Sequence, residues 1–247
     1  MSLLAGSSAL DRIDHPDWPR HNSNMSIPGL FHRTIADTPV AVLDFETTGL
    51  YPWTDRVVEV CVVRIDPGES PRLVLDTLVN PNRPMGATHV HGITAAAVSD
   101  APPFAEIAGR LAHALAGCVV AAYNSSFDVG FLDAEFRRAG VAHAFPHLCL
   151  MYLRPMLGLG MRCKLADACH AHAIDHRHHH TAAADTRAAA ALWPVCRARM
   201  ADLNVTTYRD LAAIKKYKFV SSFDRSPLPA PSVPPMGRVK SRIMGAH

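Results

Sequence analysis

Residues 39–50 read PVAVLDFETTGL: four apolar residues from Val40 to Leu43, then Asp44 and Glu46 separated by Phe45, then the small residues Thr47, Thr48 and Gly49. A short apolar run closed by a turn signal predicts a buried strand. Alternate residues of a strand share a face, so Asp44 and Glu46 emerge side by side. Two carboxylates held that close repel each other. Either a divalent cation relieves them, or they are the solvated end of an exposed strand, and the pair alone leaves both readings open. The exit through Thr47, Thr48 and Gly49 leaves hydroxyls and backbone N–H groups beside whatever the pair binds.

Working outward, RVVEVCVVRID (56–66) and RLVLDTLVNP (72–81) are two further strand-like runs separated by a Pro-Gly turn, which predicts an antiparallel meander of three strands. The pattern then changes. APPFAEIAGRLAHALAG (101–117) has helical spacing, CVVAAYN (118–124) is a short buried strand, and SSFDVGFLDAEFRRAG (125–140) is a helix with a serine cap and a closing glycine. HLCLMYL (147–153) is read as a fifth strand, followed by helices over 164–172, 181–199 and 206–217. The expected class is therefore α/β, a five-stranded mixed sheet flanked by helices. Residues 1–37 are expected to form an N-terminal arm, 38–222 the folded domain, and 223–247 a flexible tail, proline-rich and then basic.

With 49% apolar and 19% charged residues the chain can bury a substantial core. Its net charge of +3 suits a polyanionic partner but also suits many enzymes of small anions. Six cysteines without a C-x-x-C pair, no secretory leader pattern and no long apolar run predict a reduced, cytoplasmic protein without a membrane span.

Two more acids stand out. Asp128 lies in the first turns of the helix at 125–140, where a helix N-terminus tolerates an anion. Asp185 sits in HRHHHTAAADTRAAAAL (176–192), five positions after the last of four histidines and among alanines, so it faces a partner such as a cation or an arginine. The nearby Cys163, Cys169 and histidines raise a zinc alternative, but none follows the paired spacing of common structural zinc sites. Lys215, Lys216 and Lys218 form a small basic patch, read either as a solvated helix end or as a track for a nucleic-acid backbone.

Taken in order, DFETTGL, HVHGI, YNSSFDVGFL, LADACHAHAI and HTAAAD resemble the motifs of the DEDD exonucleases of the histidine subtype, and in particular the proofreading epsilon subunits of bacterial DNA polymerase III and their stand-alone relatives. The resemblance covers roughly residues 38–198. It implies a ribonuclease H-like exonuclease fold and 3′ to 5′ hydrolysis with two divalent cations, Mg²⁺ or Mn²⁺, per active site. By motif match, Asp44, Glu46, Asp128 and Asp185 are the catalytic metal ligands and His180 is the general base. It also places Thr47, Thr48, Leu50, His91 and Asn124 on the substrate side, Leu50 as a wedge against the terminal base, with plain packing the alternative, and His91 near the groove, where a structural role is the alternative.

The chemistry fits these residue types. Hard cations prefer oxygen ligands, so a carboxylate set suits magnesium or manganese over zinc, and a neutral histidine can accept a proton from water near pH 7. Tyr123 and Lys164 depart from the pattern of the relatives, which bears on substrate preference. The chain also has no glutamine, so it lacks a glutamine-based clamp-binding peptide. The expected activity is a 3′–5′ exonuclease on single-stranded nucleic-acid 3′ ends, DNA slightly favoured, releasing nucleoside monophosphates. The alternatives are an exoribonuclease or oligoribonuclease of the same fold, and a non-catalytic nucleic-acid-binding or assembly module. The expected partners are single-stranded DNA or RNA 3′ ends and a protein that meets the proline-rich tail.

Overall fold

A computed structural model of the chain describes residues 29–141, 145–176 and 181–228. Three antiparallel strands come first: β1 (Val40–Thr47), β2 (Val57–Ile65) and β3 (Arg72–Leu78). Next come the one-turn helices α1 (Thr88–His91) and α2 (Ala95–Val98), the longer α3 (Phe104–Leu115), β4 (Val119–Ala122), α4 (Ser125–Arg138) and β5 (His147–Cys149). Then follow α5 (Leu150–Met156), α6 (Leu165–Ala171), α7 (Ala182–Asp202) and α8 (Tyr208–Ile214). The sheet order is β3-β2-β1-β4-β5, with β4 parallel to both β1 and β5. This is the five-stranded mixed sheet expected from the sequence.

Strand alternation divides the core in two. Ala41, Leu43 and Phe45 of β1 pack with residues of α3 and α4, among them Leu111, Leu115, Phe131 and Phe136. Val40 and Val42 point the other way, into a cluster with Leu153 of α5, Cys169 of α6 and Trp193 of α7. The alanines Ala188, Ala189 and Ala190 are buried in that second layer, and their small side chains let α7 lie close against β1 and β2. Thr181 caps α7 by accepting the Ala184 N–H at 3.2 Å.

Several expectations need correction. HLCLMYL is a strand only through Cys149, the last residue paired with β4. Beyond it the chain has no ladder to join, because β4 has already given way to α4, and residues 150–156 satisfy their backbone as a helix that buries Leu150, Leu153 and Met156. The helices α1 and α2 were not anticipated, since four residues are too few to show a period. The packed domain also extends past both expected boundaries. Leu30 and Ile35 are buried on the N-terminal side, and Phe223 and Leu228 on the C-terminal side. The rest of the expected arm, residues 1–28, and of the tail, 229–247, lies outside the described residues.

Candidate active site

Asp44 and Glu46 continue the row of Val40 and Val42 along β1, so both carboxylates face the layer that holds α7. Asp185, in the first turn of α7, meets them there. Carboxylate oxygens of Asp44, Glu46 and Asp185 all lie within 4.8 Å of one another. β1 pairs with β4 only as far as Val42 and Ala121, and the backbone beyond needs another partner. Asp128, buried in the first turn of α4, supplies it: its Oδ1 accepts the Phe45 N–H at 3.2 Å. The crevice thus lies at the carboxyl ends of β1 and β4, the usual ligand position of an open α/β sheet.

Crowding of acids governs the electrostatics. Burial, and then the charges of Asp128, Asp185, Glu46 and Glu59, hold the Asp44 carboxyl well above the usual carboxylate range. Glu46 is pushed up to about 8, first by burial and then by Glu59, Asp185 and Asp128. Burial raises Asp128 to about 7, against the lowering effect of the Phe45 hydrogen bond. Oxygen donors with this unmet demand for positive charge fit hard divalent cations, and Asp44, Glu46 and Asp185 are the residues placed to hold them, with Asp128 behind.

Sequence reasoning missed two members of this site. Glu59 stands opposite Glu46 across β1 and β2, and its Oε2 accepts the Ala182 N–H at 3.0 Å, tying the start of α7 to the sheet. The available signal was a lone acid inside a strand that is otherwise apolar up to Arg64. His176, one of the histidines of the zinc alternative, has its side chain only 6% exposed, and its Nε2 lies 2.5 Å from Asp185 Oδ1. His180, with His178 and His179, lies outside the described residues. Among the described residues, the cysteines and histidines of the proposed zinc alternative do not converge into a metal-ligating group.

The expected substrate-side residues divide. Asn124 is exposed and lines a cavity of about 890 Å³ together with Lys164, His176 and Asp185. Leu50, in the segment that follows β1, is 72% exposed, and its neighbours Tyr51 and Trp53 are exposed too. Thr47 and Thr48 are buried, and their hydroxyls are committed within the turn, Thr47 Oγ1 donating to Gly49 O at 2.6 Å and Thr48 Oγ1 to Asp55 Oδ1 at 3.2 Å. The expectation of open hydroxyls beside the acids is therefore corrected. His91 is also buried, against the expected groove position. Its Nδ1 accepts the Ile93 N–H at 3.0 Å, its Nε2 is buried without a hydrogen bond among the described residues, and burial lowers its pKa. Tyr123, one of the departures, donates its hydroxyl to Cys163 O at 2.8 Å and so fixes the wall of the cavity.

The profile of the RNase_T family, described as exonuclease, matches residues 41–193. A DNA polymerase III subunit epsilon-like protein of Rhodobacter capsulatus is 45% identical over 107 residues, 40% of this chain and 15% of that protein. The DNA polymerase III subunit epsilon of Pasteurella multocida is 32% identical over 117 residues, 44% of this chain and 46% of its own length. The chain therefore spans less than half of either relative. Among solved structures, E. coli exonuclease I in complex with a dT13 oligonucleotide superposes with a TM-score of 0.58 at 20% identity, covering 68% of this chain and 42% of that one. Exonuclease X in complex with 5′ overhanging duplex DNA gives a TM-score of 0.54 at 24% identity, covering 71% and 99%. These likenesses identify the fold as ribonuclease H-like. Since the matched span runs from β1 into α7 and contains all four acids, the chain belongs to the RNase_T exonuclease family.

Proposed function

We propose that the chain is a divalent-cation-dependent 3′–5′ exonuclease that hydrolyses the terminal phosphodiester bond of single-stranded nucleic acid, DNA slightly favoured over RNA, and releases nucleoside monophosphates. The observation that carries this reading is the convergence of Asp44, Glu46 and Asp185 within 4.8 Å. Acids that raise one another's pKa in this way serve no packing purpose. Magnesium or manganese, when bound, supplies charge compensation for the phosphoryl group and lowers the pKa of water.

The protein's own residues do the rest. Asp44, Glu46, Asp128 and Asp185 would hold the cations, and Asp128, whose Oδ1 accepts the Phe45 N–H, also fixes the end of β1 so that Asp44 and Glu46 keep their aim. His180 accepts the proton of the attacking water as the new P–O bond forms. The P–O3′ bond then breaks, and the departing oxygen takes up a proton to become the new 3′ hydroxyl. Leu50 and Asn124, both exposed, position the terminal nucleotide. The tail, with its prolines and cations, is a contact for a protein partner, and a reducing cytoplasmic setting fits six cysteines that are all free. Among the described residues no helix is long and apolar enough to cross a membrane.

The test uses 5′-labelled single-stranded DNA and RNA of matched sequence, with Mg²⁺, Mn²⁺ or chelator. Stepwise shortening from the 3′ end that stops with chelator supports the proposal. Binding without shortening supports the non-catalytic alternative and ends it.

A further inference from the structure

A second and larger cavity, of about 1100 Å³, lies between the outer face of α4 and the segment 216–225. Ser126, Gly130, Asp133 and Arg137 line one wall at helical spacing, and Lys216, Lys218 and Arg225 line the other. Asp133, the one carboxylate among the described lining residues, is already paired with Arg137 at 2.7 Å. The groove is thus electropositive, and none of the proposed metal ligands lies in it.

Its chemistry is not cationic alone. The Tyr152 and Tyr217 rings stand 4.8 Å apart, and Phe219 lies beneath Tyr217 in a stacked arrangement. Cations interleave with them: the Arg162 guanidinium sits 4.9 Å over the Tyr152 ring and Lys215 Nζ 5.0 Å over Tyr217. Alternating rings and cations are what a single strand requires, bases on the rings and phosphates on the charges.

The groove is continuous with the active site. Asn124, Met151 and Arg162 line the cavity that contains Asp185, whereas their neighbours Ser125, Ser126 and Tyr152 line the groove. Ser126 donates to Asn124 Oδ1 at 2.9 Å, and Arg162 donates to the Tyr152 hydroxyl at 2.7 Å, so the two walls are joined. From Ser125 to Arg137 the helix is roughly 18 Å long, enough for about five nucleotides at a stacked rise of about 3.4 Å. The C-terminal tail does not suit this groove, because residues 229–247 carry Arg238, Lys240 and Arg242 and no acid.

We infer that this groove binds the single strand on the 5′ side of the scissile bond, bases displacing the Arg162 and Lys215 cations from the Tyr152 and Tyr217 rings and phosphates meeting Lys216, Lys218 and Arg225. The inference rests on the exonuclease reading, since it takes the 3′ end to lie at the acids.

Binding is measured by anisotropy on the full chain carrying Asp44→Asn, with labelled oligothymidylates of 3, 6 and 12 nucleotides and oligouridylates in parallel. Affinity is expected to climb steeply from 3 to 6 and little thereafter. Adding Tyr152→Ala and Tyr217→Ala lowers 12-mer affinity at least about tenfold and trimer affinity far less. Lys216→Ala with Lys218→Ala, both exposed and so without cost to folding, flattens the slope of log affinity against log salt by about 1.4 for the 12-mer. Equal affinity for all lengths, or an unchanged salt slope in the lysine variant, overturns the groove. Cleavage by the wild type is scored separately. A protein that shortens oligonucleotides while the groove variants bind normally defeats only this inference, and one that binds through the groove without cleaving defeats only the exonuclease reading.

Discussion

Glu46 and Glu59 face each other across β1 and β2, yet Glu59 also accepts the Ala182 N–H at the start of α7. Like charges directly opposite in a sheet are unfavourable, so the pair persists because each carboxylate has other work. Glu59 holds the turn of α7 that presents Asp185. Glu59→Ala is expected to raise the cation concentration for half-maximal activity by about 10- to 100-fold, the usual consequence of losing a residue that orients a ligand. Glu59→Gln, whose amide oxygen still accepts the N–H, should recover most of that. A titration in which both variants match the wild type would remove Glu59 from the site.

The crowded acids also set a pH dependence of stability. Glu46 and Asp128 have folded pKa values of about 8 and about 7, both above their unfolded values. Between the unfolded and folded values the native state binds more protons, so stability falls as pH rises from about 4 towards 8. In chelator, Tm attributable to these groups should decline over that range, and Mn²⁺ or Mg²⁺ should raise Tm more at pH 8 than at pH 5.5. A metal-induced shift of the same size at both pH values would contradict this.

His176 and His180 are predicted to differ in kind. His176 touches Asp185 and so competes for or orients a ligand. His176→Ala should change the apparent cation affinity while leaving kcat at saturating cation within about threefold. His180→Ala should lower kcat at saturating cation by about 10²–10⁴, the range for losing a general base. If His176→Ala has the deeper effect on kcat, the two roles are reversed.

The Asp-x-Glu alternation, the order of strands and the spacing of the acids were legible because each depends on local period or on motif order. Residues whose position depends on tertiary packing were not. Glu59 sits in a strand that is apolar on both faces, and only its register against Glu46 reveals which way it points. Thr47 and Thr48 carry hydroxyls that suit a ligand, but the fold commits them to the turn after β1, and His91 is buried with its Nδ1 on the Ile93 N–H. His176 is indistinguishable by composition from its neighbours, and only contact with Asp185 separates it.

That turn yields a further prediction. A Cβ on Gly86 would come within 2.2 Å of Thr48 O, a backbone atom that cannot swing away. Gly86→Ala should cost about 1–3 kcal/mol, a fall in Tm of roughly 3–10 °C, and should lower activity by displacing the exit of β1. Unchanged thermal unfolding would show that the loop carrying Gly86 moves freely.

On the proposed reading, Asp44, Glu46, Asp128 and Asp185 would hold the cations for hydrolysis at a strand's 3′ end. The most direct measurement follows 5′-labelled single-stranded DNA with the wild type and with Asp44→Asn, in Mg²⁺, in Mn²⁺ and in chelator. The expected result is a ladder shortening from the 3′ end with the wild type and cation, abolished by chelator and reduced at least about 10³-fold in Asp44→Asn, equivalent to roughly 4 kcal/mol of lost transition-state stabilisation. Digestion by Asp44→Asn at the wild-type rate, or a wild type that leaves the strand intact with either cation, would contradict it.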